Sequence, residues 1–190
     1  MWPLLACSIV SLAVSLERLF FWWREATRRD DGLLDEVFRL TALGDCDGAA
    51  ALRPRRGGDT RVEVLLAGLE HREHGLSEAM AVEASRRIEL MKQGLMVLDT
   101  IVTMAPLLGI LGTVLGIIQS FDMLGDVGIE DPKAVTKGIA QALVTTAAGL
   151  AVALATLVPF NYFGARTGRA ARDLEQVATQ FEVAYRRGKQ

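Results

Sequence analysis

The chain has 190 residues, 51% of them hydrophobic, with 21 basic and 23 acidic side chains and a formal net charge of −2. So much apolar character, gathered into runs, excludes an ordinary water-soluble domain and points to an integral membrane protein. The near-neutral balance and the lack of a basic, aromatic-studded region argue against nucleic acid as a partner. No Walker-type loop, nucleophile elbow or dinucleotide fingerprint marks an enzyme.

Residues 3–23 are apolar except for Glu17 and Arg18. A signal peptide would carry positive charge before its apolar run and a small-residue cleavage site after it. This segment has neither, so 1–23 is expected to be a retained transmembrane helix. Trp22 and Trp23 fit an interfacial aromatic belt, with Arg24, Arg28 and Arg29 following at once. Arg18, one turn inside, is placed to snorkel outward or to pair with Glu17 or a neighbouring helix. Glu17, Arg18, Trp22 and Trp23 therefore read as interfacial anchors. Cys7 lies in the apolar run and Cys46 in a polar one, which makes a disulfide between them unexpected.

Residues 24–97 form a polar, helical region. Leu33, Leu34, Val37, Phe38 and Leu40 predict a short amphipathic helix ending near Gly44. Residues 54–58 read as a turn. Thr60 with Glu63 has capping-box spacing and predicts a helix that Gly75 closes. Ser77 is the expected N-cap of the next helix, which meets no strong stop before Phe121; Gly94 and Pro106 are its weak points. If continuous it covers roughly 45 residues, or ~65 Å. His71 and His74 lack the ligand partners of a metal site and read as solvated helix residues; no metal or cofactor is expected.

The second span, 98–121, has two unlike faces. Ala105, Gly109, Gly112, Thr113, Gly116 and Ser120 recur at three- and four-residue steps, so they share one side of a helix. The other side is leucine, isoleucine and valine. In lipid, small residues mark where another backbone comes close. Residues 122–137 are a short acidic connection, in which Asp131 followed by Pro132 sets an N-cap before a proline at the first helical position. The third span, 138–163, carries Gln141, Thr145 and Gly149 at four-residue steps beside Ala142, Thr146 and Ala153. It is expected to continue into a helical tail, 164–190, where Leu174, Val177, Ala178, Phe181 and Tyr185 pack against the extension of the second span.

The arginines after spans one and three, against two lysines between spans two and three, predict an outside N-terminus and an inside tail. The expected fold is thus an all-α membrane protein of three transmembrane helices, the second and third extending into a cytoplasmic helical bundle.

Thr113 lies eight residues before Phe121 and Thr146 eight after Gly138, each ~12 Å from its outer helix end. Two hydroxyls should therefore meet at one depth. They read either as self-satisfied threonines on packing faces or as a shared polar strip with Gln141 and Thr145. Spans two and three hold no carboxylate at mid-membrane. A proton relay needs a titrating group, so if protons cross here that group must come from a second protein.

The stretches APLLGILGTVLGIIQSF (105–121) and GIAQALVTTAAGLAVALATLVPFN (138–161) resemble the signature of the MotA/TolQ/ExbB proton-channel family. The opening PLLACSIVSLAVSLERLFFW (3–22) is similar to the first helix of its ExbB/TolQ branch. The resemblance implies a homo-oligomeric ring, typically of five copies, in the bacterial inner membrane. The ring would surround two transmembrane helices of an ExbD- or TolR-like single-span partner that supplies a membrane aspartate. Proton entry would drive rotation or rearrangement, passed on to a TonB- or TolA-like periplasmic transducer. By motif, Thr113 and Thr146 fall on the family's polar threonines, and Gln141 where ExbB and TolQ members usually have glutamate. Any step assigned to that glutamate's charge is then missing here, which keeps a specialised relative such as a gliding-type motor subunit in view. A passive oligomeric scaffold is the alternative from a different class.

Overall fold

The computed structural model describes residues 2–52, 58–127 and 132–189, with the side chains of 123–127 and 132–134 left aside. The described residues hold seven α-helices: α1 (Trp2–Thr27), α2 (Asp31–Ala42), α3 (Cys46–Ala51), α4 (Thr60–Glu70), α5 (Arg72–Lys92), α6 (Leu95–Val127) and α7 (Pro132–Gly188). Three stretches, within α1, α6 and α7, are long and apolar enough to cross a membrane. The chain divides into two compact units. One comprises Met1–Arg18 and Gly94–Phe163; the other comprises Leu19–Gln93 and Gly164–Gln190.

The second unit has the core of a small helical domain. Leu34 and Val37 from α2, Leu65 and Leu69 from α4, Leu76 and Met80 from α5, and Leu174, Val177, Phe181 and Tyr185 from α7 form one buried cluster. Phe181 is fully enclosed and meets Phe38 edge-on, with ring centroids 5.4 Å apart. Burying a side chain of this size is worth on the order of 1.5–3 kcal/mol. The tail residues expected at helical spacing all take part, joined by more of α2 and α4 than expected.

Local chemistry sets the helix ends. Asp30 caps α2 by accepting from the Leu33 N–H at 2.9 Å, and Gly44, at φ +80°, ends that stretch as expected. Asp45 caps α3, a six-residue helix with no periodicity to announce it. The cap of α4 is Asp59, not Thr60: its carboxylate accepts from the Arg61 N–H at 2.9 Å. Thr60 instead turns its hydroxyl to Glu25, 2.5 Å away. The helix opened there stops at Glu70, and Gly75 (φ 149°, ψ 89°) is a kink inside α5. Ser77 therefore lies within α5 and not at its start.

The expected continuous helix from 77 to 121 is broken. Lys92 ends α5, and Gly94 sits at φ +77° before α6 begins at Leu95. Only glycine adopts that backbone at no steric cost. Pro106 stays inside α6, as does Pro159 inside α7. The turn expected at 54–58 and the Asp131 cap fall on or against residues outside the described ones.

Candidate functional site

The first unit is assembled from the faces that the small residues define. Ala105 and Ala153 are buried together with Leu4 and Ile101. Where α6 meets α7, backbone lies against backbone. A Cβ added to Gly109 would stand 3.1 Å from the Thr146 Cα, and one added to Gly116 would stand 2.7 Å from the Ala142 Cβ. Gly112 faces Thr145 in the same way, and Gly149 faces Ala105 and Gly109. The sequence-predicted packing residues Ala105, Gly109, Gly112, Gly116, Ala142, Gly149 and Ala153 thus meet across α6, α7 and, at the Leu4 end, α1.

That close approach brings three hydroxyls to one spot. The Thr113 and Thr146 hydroxyls are hydrogen-bonded to each other. Thr113 Oγ1 also lies 3.1 Å from the Ala142 carbonyl oxygen and 3.2 Å from that of Gly109. Thr146 Oγ1 lies 3.1 Å from the same Gly109 oxygen. Thr145 donates to the Ala142 carbonyl at 2.6 Å. Each hydroxyl has a single proton and two acceptor lone pairs. The Thr113–Thr146 pair therefore has two opposite donor directions. Either Thr113 donates to Thr146, which donates to Gly109, or Thr146 donates to Thr113, which donates to Ala142 or Gly109. The pair can reverse direction with no group changing charge.

Thr113, Thr145 and Thr146 are half-buried. Gln141 is exposed on α7 and no hydrogen bond among the described residues joins it to the threonines. Of the anchor residues, Glu17 and Arg18 form a two-point ion pair at 2.5 and 2.6 Å. Trp23 is exposed, whereas Trp22 is buried in the second unit with the Arg166 guanidinium over its ring.

One contact escaped the sequence. Ser11 on α1 and Thr156 on α7 share a buried hydrogen bond of 2.7 Å. Thr156 continues the run Ala142, Gly149, Ala153 at the next helical step, which is the signal that could have found it. Among the described residues no group of three His, Cys, Asp or Glu stands close enough to hold a metal ion. His71 Nδ1 is 3.0 Å from the Ala67 carbonyl oxygen.

The class these features define is a multi-pass membrane protein whose last two spans pack through glycine and alanine and share a hydroxyl strip. The family described as the MotA/TolQ/ExbB proton channel family matches residues 59–176. ExbB-like protein 3 of Synechocystis sp., a biopolymer transport protein by name, is 34% identical over 191 residues, covering 97% of this chain and 90% of its own. The biopolymer transport protein ExbB of Salmonella typhimurium is 27% identical over 93% of this chain and 76% of its own. The Tol-Pal system protein TolQ of Pseudomonas aeruginosa is 34% identical over 60% of this chain and 49% of its own. The chain belongs to the MotA/TolQ/ExbB proton channel family, in its ExbB/TolQ branch.

Proposed function

We propose that the chain is the ring-forming subunit of an inner-membrane, ion-motive-force-driven motor. The first apolar span enters from outside, residues 24–97 and 164–190 are cytoplasmic, and 122–137 connects the spans at 98–121 and 138–163 on the periplasmic side. Copies of the chain, five by family resemblance, surround the transmembrane helices of an ExbD- or TolR-like protein. Proton flow is coupled to work on a TonB- or TolA-like transducer. The chain itself carries out no bond-making chemistry.

The observation that carries this reading is the hydroxyl pair of Thr113 and Thr146 in spans that hold no carboxylate between Asp99 and Asp122 or from 138 to 163. Such a pair can orient, accept and hand on a proton but cannot release one at physiological pH. It suits a wall beside a carboxylate that another protein brings. Thr113, Thr146, Thr145 and Gln141 are the residues of that wall. Gln141, exposed on α7 where the family resemblance implies a glutamate, supplies an amide without adding charge.

The self-satisfied geometry gives the scaffold reading its one support, because threonines bonded to carbonyls one turn back are common in packed membrane helices. Replacing both hydroxyls separates the two. The motor reading expects Thr113→Val with Thr146→Val to abolish proton-dependent output at normal assembly. Unchanged output would leave the threonines as packing residues only.

A further inference from the structure

Within the second unit lies a cavity of about 520 Å³, inside the roughly 300–1,000 Å³ range of small-ligand sites. Trp22 from α1, Arg29 just beyond its end, and Arg166 and Arg169 from α7 line one side; Asp59 and Arg61 at the head of α4 line another. The α7 arginines follow within a few residues of the third apolar span, and Trp22 closes the first.

Three carboxylates line this cavity, and each is already engaged. Asp59 accepts from Arg61 Nε at 3.0 Å and from the Asp30 and Arg61 backbone N–H groups. Asp173 pairs with Arg29 at 2.9 Å. Glu25 accepts the Thr60 hydroxyl proton. Against them stand four guanidiniums, so among the described residues the lining has one cation in excess. Arg166 is held over the Trp22 ring, 5.0 Å from its centroid, which fixes its plane. Arg169 is exposed and forms no ion pair among the described residues. On the same side the buried Trp22 Nε1–H has no acceptor among the described residues.

We propose that this cavity binds a phosphate-bearing anion, the headgroup of an anionic phospholipid. Paired N–H groups on fixed guanidiniums match phosphate oxygens two at a time. The excess positive charge disfavours a cation and would be wasted on a neutral sugar. Basic pockets at the inner ends of membrane helices are where anionic headgroups are held. Only the choice of a lipid as the source rests on the proposed topology. Lipid retention is read without ion flow, so the site and the motor reading can fail separately.

The test is native mass spectrometry of the purified full-length chain, titrated with phosphatidylglycerol or with phosphatidylcholine of the same acyl length. Phosphatidylglycerol is expected to be retained in preference, and Arg166→Gln with Arg169→Gln to weaken that retention roughly 10- to 30-fold. Arg169→Gln alone, at an exposed position, should weaken it several-fold even if the double variant folds poorly, while Arg172→Gln, which does not line the cavity, leaves it unchanged. Equal retention of the two lipids, or retention unaffected by Arg169→Gln, overturns the proposal. Glycerol phosphate displacing the lipid at comparable concentration would identify a soluble phosphate ligand and overturn the lipid assignment.

Discussion

Gly149 lies so close to Gly109 that a Cβ on Gly149 would stand 3.0 Å from the Gly109 Cα and 2.5 Å from the Ala105 carbonyl oxygen. Both neighbours are backbone, which cannot swing aside as a side chain would. Gly149→Ala should therefore lower stability by about 1–3 kcal/mol through overpacking, exceeding the helix-propensity gain of about 1 kcal/mol that alanine brings. Gly164, also inside α7, has nothing within 4 Å of its added Cβ. Gly164→Ala should accordingly stabilise, by roughly 0.5–1 kcal/mol. Melting of the two variants in the same detergent should move in opposite directions.

Gly112 meets a side chain instead of backbone. Its added Cβ would meet the Thr145 hydroxyl at 2.8 Å. A leucine there cannot be absorbed without moving α6 from α7, so Gly112→Leu should destabilise the packing of these two helices by more than Gly149→Ala does. A lower melting temperature than Gly149→Ala in the same detergent is the expected result.

At the junction of α5 and α6, Gly94 combines φ +77° with a Val14 methyl 3.0 Å from its added Cβ. The left-handed backbone alone costs a non-glycine residue on the order of 1–2 kcal/mol. Gly94→Ala should destabilise by at least that amount. A thermal shift measured beside Gly164→Ala checks it, since both change the same atoms.

Asp59 gives the second unit an acid-sensitive anchor. Burial by itself would push its carboxyl up, but hydrogen bonds from Arg61 and from the Asp30 and Arg61 amides hold it below the usual 3.8. A carboxylate with a lowered folded value contributes stability that is complete above the unfolded value and is lost as pH falls below it. Asp59→Asn should cost about 2–3 kcal/mol near neutral pH, because Arg61 still keeps Asp31 at 2.6 Å. The same variant should flatten the acid limb of the stability curve. Glu63 has the opposite sign: burial raises its carboxyl despite Arg87 at 2.6 Å. Its contribution therefore weakens as pH rises through and above the ordinary glutamate range, and Glu63→Gln should remove that decline.

The spans, the tail and the α6–α7 seam were legible because each rests on a repeated spacing. Ala105, Gly109, Gly112 and Gly116 announce a close contact before any partner helix is known. Phe181 and Tyr185 announce a core in the same way. What escaped depends on single atoms. Asp59 and Thr60 are neighbours with equal claims as a cap, and Glu25, 35 residues away, takes the threonine. The break at Gly94 hangs on one φ angle within a run that is otherwise a good helix. Six-residue α3 is too short to show a period, and Ser11 finds Thr156 across 145 residues of sequence.

The central claim is that Thr113 and Thr146 line a path for a proton whose titrating group belongs to a partner. Proton flux into liposomes holding the assembled complex tests it directly, with the partner's membrane carboxylate intact and then replaced by its amide. The account predicts that flux disappears with the amide while the ring stays assembled. Undiminished flux through that assembly would contradict it, since the second and third spans hold no carboxylate between Asp99 and Asp122 or from 138 to 163.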